Sequence, residues 1–223
     1  MSISRHHSFW GSLSPLGGLM GISLLVMASA RLSWAITIAG CLFWVYGLTA
    51  FSFAFLLSVG KKIIPEKGRS AIYSCLAAFF GSVYLFLFWL LCPFAALETF
   101  MLMLLVPLFC AQTGFADDGT ADQTSANKNS KVNIDVFDSV SDSVSGAASL
   151  AVLIIAFSIL REPLSYCLLS FPGTAQGMVT IMYFKSNSFF PIGVFASSAG
   201  ALLLLGYCIC LYQYGKGKLL GRI

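Results

Sequence analysis

The chain has 223 residues, 58% of them hydrophobic and only 10% charged, with 20 Phe among them. A soluble domain carries roughly 25% charged residues, and no fold of this size hides so much apolar side chain from water. The net charge of +4 comes from 13 Lys and Arg against 9 Asp and Glu. These cations lie between apolar runs, so they read as topology signals rather than a nucleic-acid-binding face. Intrinsic disorder is excluded by the same composition. The chain is predicted to be a polytopic helical membrane protein.

Six apolar runs follow one another at about 13–30, 33–59, 70–92, 95–113, 140–160 and 189–213. Six spans of about 20 residues each account for about 120 of the chain's residues. The expected architecture is all-α, one six-helix transmembrane domain over 1–223. The first run is short and interrupted by Gly17, Gly18 and Gly21. Arg5 upstream and Ala28-Ser29-Ala30 at its end also sketch a cleavable signal peptide, the alternative being a first helix used uncut. Lys61 and Lys62 close the second run, which is long enough to tilt.

Six spans put the N-terminus, the 60–69 loop, the 114–139 loop and the C-terminus on one side. That side carries Arg5, Lys61, Lys62, Lys67, Arg69, Lys128, Lys131, Lys216, Lys218 and Arg222; the other carries Arg31, Arg161 and Lys185. The excess marks the cytoplasmic side, so both termini are expected there.

Two connections differ in character. Residues 115–138 are polar and acidic, which predicts a solvated cytoplasmic loop; Asp117, Asp118, Asp122, Asp135, Asp138 and Asp142 lie in or just beyond it. Residues 161–188 stay apolar but are divided by Pro163, Pro172 and Gly173, so they are expected along the membrane surface or tucked between helices. Runs one to three and four to six form two candidate repeats, about 13–92 and 95–213. Each opens with a short, broken helix, the pattern of an inverted repeat with its site near the midplane.

Few residues offer chemistry. Seven cysteines (41, 75, 92, 110, 167, 208 and 210) include no CxxC pair, and no His lies near them, so no local zinc site is written. Glu98 is expected in the opening turn of the fourth helix, where its charge suits the positive end of the dipole, with a role in an ion path as the alternative. Asp138 and Asp142 share a face at the start of the fifth and read as capping groups. Arg161-Glu162-Pro163 is expected to end that helix, with Pro163 as the stop and Arg161 on the C-terminal dipole. The alternative is that Arg161 and Glu162 seal a subunit contact. Gly193, Ala196, Ser197 and Gly200 predict a close helix–helix approach along the sixth run. No nucleotide loop, catalytic triad or phosphate cradle is present. Taken alone, these features describe a membrane subunit or a small transporter.

Three segments resemble one family in order. They are Gly21-Ile22-Ser23 with the following LLVMASARLSWA; LLVPLFCAQTG around Cys110; and DSVSGAASLAVLIIAFSILRE from Asp142 to Glu162. The ending from Phe190-Pro191-Ile192-Gly193 fits as well. This set is similar to the six-span subunits of the Rnf and Nqr electron-transport complexes (RnfA, RnfE, NqrD, NqrE). The resemblance implies a subunit paired with an inverted paralogue. Half-helices one and four of each supply a cysteine, the four thiolates hold a shared [2Fe–2S] cluster, and electron flow is coupled to Na⁺ or H⁺ movement. Cytoplasmic termini match the RnfE/NqrD-like member, in a bacterial inner membrane.

By that resemblance Cys110 occupies the fourth-helix ligand position. Ser23 occupies the first, where the family has cysteine. A hydroxyl is a harder and much less acidic ligand than a thiol. Three outcomes stay open: a cluster with one oxygen ligand, a cluster using another cysteine such as Cys41, or a scaffold without a cluster. A small inverted-repeat transporter is the reading from a different class, weakened by the scarcity of charge within the spans.

Overall fold

A computed structural model describes residues 15–59, 68–124, 136–173, 178–183 and 193–219, with side chains over 21–56, 71–111, 144–173, 179–183 and 193–215. Six α-helices run α1 (Pro15–Ala28), α2 (Leu32–Val59), α3 (Arg69–Leu91), α4 (Pro93–Thr124), α5 (Val136–Tyr166) and α6 (Ser198–Leu219). Between α5 and α6 lie strands β1 (Leu168–Pro172) and β2 (Met178–Tyr183), then a 3-10 turn at Gly193–Ala196.

Five helices are long and apolar enough to cross a membrane: Leu32–Leu56, Ala71–Leu91, Pro93–Ala111, Val144–Tyr166 and Ser198–Gly215. This is a helical multi-pass membrane protein. The described part of α1, 14 residues, rises only about 21 Å, short of the ~30 Å hydrocarbon core. Apolar side chains surround these helices rather than forming one stripe, because lipid solvates whatever the bundle does not cover.

The centre of the bundle is α2, half of whose most apolar window is buried (50%), against 11% for α3 and α6. The core draws Leu24, Leu25 and Ala28 from α1, Ile38, Leu42 and Val45 from α2, Met103, Val106 and Cys110 from α4, and Leu150 and Ile154 from α5. Small residues set the close approaches. A Cβ on Gly81 of α3 would stand 2.8 Å from the Pro107 ring of α4, and one on Gly40 of α2 would stand 2.8 Å from the Tyr84 hydroxyl of α3. That hydroxyl donates to the Thr37 carbonyl at 3.1 Å, joining α3 to α2.

Several expectations are corrected here. The fourth helix is not short: α4 runs unbroken through Pro107 to Thr124, and α5 begins at Val136. The polar segment expected as a loop over 115–138 is therefore helical at both ends, and 125–135 lie outside the described residues. Pro107 costs α4 one backbone hydrogen bond without breaking the rod, because packing on Gly81 holds the ring. Pro163 does not stop α5, which continues to Tyr166. The Ser165 hydroxyl bonds the Arg161 and Glu162 carbonyls at 2.9 and 3.2 Å, and the Cys167 amide reaches the Pro163 carbonyl at 3.0 Å. These bonds carry the last turn past the proline.

The apolar stretch after α5 is an antiparallel hairpin, with Leu168 opposite Tyr183, Pro172 opposite Met178 and a register shift between Leu169 and Ser170. Strand β1 packs on α2 and α5. The small residues of 193–200 fall in the 3-10 turn, which packs against α5, and in the first turn of α6. The close neighbour of Gly200 is the chain's own Val194 carbonyl, which leaves no room for a Cβ.

Candidate functional site

Cys110 lies on a helical stripe of α4, with Met103, Val106 and Phe109, that faces the bundle core. Its side chain is fully buried. The sulfur is 3.6 Å from the Tyr73 hydroxyl of α3. Tyr73 is held in turn by an edge-on contact with Phe53 of α2, at 5.3 Å between ring centroids. The Thr49 hydroxyl neighbours the same sulfur, yet it is buried with no partner in hydrogen-bonding geometry. Cys41 of α2 belongs to the same core. It lies two helical turns from Thr49, so the α2 neighbours of Cys110 sit at different heights.

Ser23 is placed differently. It lies on the exposed side of α1, while Leu24 and Leu25 turn into the core that holds Cys110. A cluster shared with a second subunit requires both ligand positions to face the surface that subunit covers. As placed, Ser23 faces outward and the Cys110 sulfur inward. Among the described residues, no three His, Cys, Asp or Glu side chains converge.

The strongest polar constellation is elsewhere, at the end of α5. Arg161 and Glu162 are both almost wholly buried (2% and 0% exposed). Arg161 spends all five of its N–H donors. Its Nε donates to the Phe195 carbonyl at 2.8 Å. Its Nη1 donates to the Val26 carbonyl and to Ser29 Oγ at 3.1 Å. Its Nη2 donates to the Ala196 and Ser197 carbonyls at 3.0 and 3.2 Å. The Glu162 carboxylate accepts from the Leu32 amide at 3.0 Å, the Ser170 amide at 3.2 Å and the Ser170 hydroxyl at 2.5 Å. Ser33 Oγ stands 3.4 Å from Ser170 Oγ, completing the cluster.

Burying two charges inside a protein is expensive unless every lone pair and proton finds a partner. Here the guanidinium meets the negative carbonyl end of α1, and the carboxylate meets the positive amide end of α2. The expected role of Arg161 on the dipole of its own helix is thus corrected: it serves α1 and the 193–197 segment instead. The subunit-seal alternative is corrected with it, since both side chains are consumed inside the chain.

Glu98 lies in the second turn of α4 rather than its first, and is exposed. It accepts from the Trp34 indole N–H at 3.3 Å. Arg31 lies over the rings of Trp34 and Tyr166, at 5.5 and 5.9 Å. Aromatic and charged groups grouped this way at helix ends mark a membrane–water boundary. The side chains of Asp138 and Asp142 lie outside those described.

A groove between α3 and α4 is lined by Leu85, Phe86, Trp89, Leu97 and Phe100, with Ser82 as its polar group. It offers nothing to bind a polar or charged substrate. Sequence reasoning singled out Arg161, Glu162 and Cys110 but missed Ser29, Ser33, Ser170, Thr49 and Tyr73. Ser29 and Ser33 flank the α1–α2 elbow, and such hydroxyls beside a helix boundary were the available signal.

The chain matches no protein-family model and no curated protein.

Proposed function

We propose that the chain is a subunit of an ion-translocating oxidoreductase of the Rnf/Nqr type. In this reading it pairs with an inverted paralogue in a bacterial inner membrane, with both termini cytoplasmic and Na⁺ or H⁺ as the coupling ion. What carries the reading is the ordered motif set. Its third segment ends in Arg161-Glu162, the pair that orders α1, α2, β1 and the 3-10 turn around one point. A first helix with its C-terminal end pinned by a buried arginine is a built feature, since an unsatisfied guanidinium there would not be tolerated.

The full form of the proposal is electron transfer. The subunit relays electrons through a [2Fe–2S] centre shared with the paralogue, at Cys110 and at the Ser23 position. This form rests on the motif resemblance alone. The second form is a membrane scaffold subunit without a cluster, favoured by a specific observation: Ser23 faces outward and Cys110 is sealed in the core. No observation favours a transporter, because the buried charges are both spent on helix ends and the described groove is apolar.

The test is purification of the chain with its membrane partners, followed by iron and sulfide analysis and EPR of the reduced sample. Copurification with flavin-binding and soluble iron–sulfur subunits is expected. A [2Fe–2S] signal lost in Cys110→Ser supports the relay form, and a complex without intramembrane iron supports the scaffold form. Isolation of the chain free of any redox partner overturns both.

A further inference from the structure

We infer that α6 is a latched helix, held to the rest of the bundle at its N-terminal end by Arg161 and free to part from it elsewhere. Arg161 grips three successive carbonyls of the segment just before α6, those of Phe195, Ala196 and Ser197. That segment is stiff. The Ser197 hydroxyl donates to the Val194 carbonyl at 2.7 Å and accepts from the Gly200 amide at 3.1 Å, capping the first turn of α6. At Gly200 the Val194 carbonyl passes so close that no side chain fits. Pulling on the 3-10 turn therefore pulls on α6 as one body.

Beyond this junction α6 touches little among the described residues. It meets the bundle through a small cluster of Val26, Phe157 and Ala201, with Leu204, Leu205 and Cys208 at its margin, and Leu205 also reaches the edge of the main core. From Leu202 to Tyr214 no α6 side chain is fully buried. A bilayer supplies no hydrophobic drive between helices, since lipid tails replace apolar neighbours at little cost. The attachment of α6 then falls to the guanidinium and its carbonyls, whose loss leaves polar groups unpaired in an apolar setting. The same guanidinium holds the Val26 carbonyl of α1, so α1 and α6 share one anchor.

Two engineered cysteine pairs test this in the full-length chain in its membrane. Val26→Cys with Ala201→Cys reports the α1–α6 contact. Gly81→Cys with Pro107→Cys reports α3–α4, where a Gly81 Cβ lies 3.0 Å from Pro107 Cβ. Oxidative cross-linking is read by mass spectrometry of the linked peptides. Arg161→Met is expected to slow the 26–201 link about tenfold, the ratio expected for lost buried hydrogen bonds, and to leave the 81–107 link unchanged. Gly200→Val, which breaks the same junction without touching Arg161, is expected to act alike and carries the test where Arg161→Met fails to accumulate. An unchanged 26–201 link overturns the inference. Equal loss of both links overturns it too, because Arg161 would then support the whole bundle rather than α6.

Discussion

Arg161 and Glu162 are adjacent in the chain, yet their side chains end on opposite faces of one elbow. Arg161 takes the Val26 carbonyl at the end of α1, and Glu162 takes the Leu32 amide at the start of α2. The two do not pair with each other. Each is neutralised by backbone dipoles and hydroxyls, an arrangement that turns a three-residue bend, Ser29 to Arg31, into a fixed corner.

Glu162 is therefore expected to be more sensitive to truncation than to loss of charge. Glu162→Ala leaves the Leu32 and Ser170 amides unpaired and should cost about 3 kcal/mol or more. Glu162→Gln keeps one acceptor oxygen and should cost less. Thermal unfolding in detergent checks this; equal losses for the two variants would contradict the capping role.

Packing of α3 on α4 depends on the absence of a side chain at Gly81. Gly81→Leu is expected to destabilise by about 1–3 kcal/mol through overpacking against Pro107. Adding Pro107→Ala should recover part of that loss. A double-mutant cycle by thermal melt measures the coupling between the two.

Cys167 has φ of 54°, left-handed backbone just past the end of α5. A β-branched side chain tolerates that conformation worst, and Gly is free of the penalty. Cys167→Val is expected to lower the melting temperature, at a cost of about 1–2 kcal/mol. Cys167→Gly should be close to neutral.

The proposed electron-transfer form separates two cysteines by position. Cys110→Ser is expected to bleach the EPR signal of the purified complex, whereas Cys75→Ser, on the exposed side of α3, should not. If Cys110→Ser changes neither the signal nor electron transfer, the scaffold form stands.

The distribution of Lys and Arg makes the orientation testable. Reporters inserted near residue 65 and after residue 223 should read as cytoplasmic, and one near residue 185 as external. Opposite readings at 65 and 223 would show that the helices from α3 to α6 do not cross an even number of times.

Composition and run length alone determined the membrane class and the approximate place of every helix, because the bilayer imposes apolar length whatever the helices later touch. Arg161 and Glu162 also stood out by themselves, as charges where charge is costly. Only the tertiary structure decided what they bind, since apart from the Ser29 and Ser170 hydroxyls their partners are backbone groups, up to 135 positions away in the chain, that carry no letter code. The same holds for Pro107 and Pro163. Local rules read Pro163 as a stop, but Gly81 of α3 beneath the Pro107 ring and, within α5 itself, the Ser165 hydroxyl closing the last turn keep both helices running. Ser23 and Cys110 show the converse. A motif can name both positions, but which way each side chain faces is set by how α1 and α4 rotate against α2, and that rotation is a property of the packed bundle.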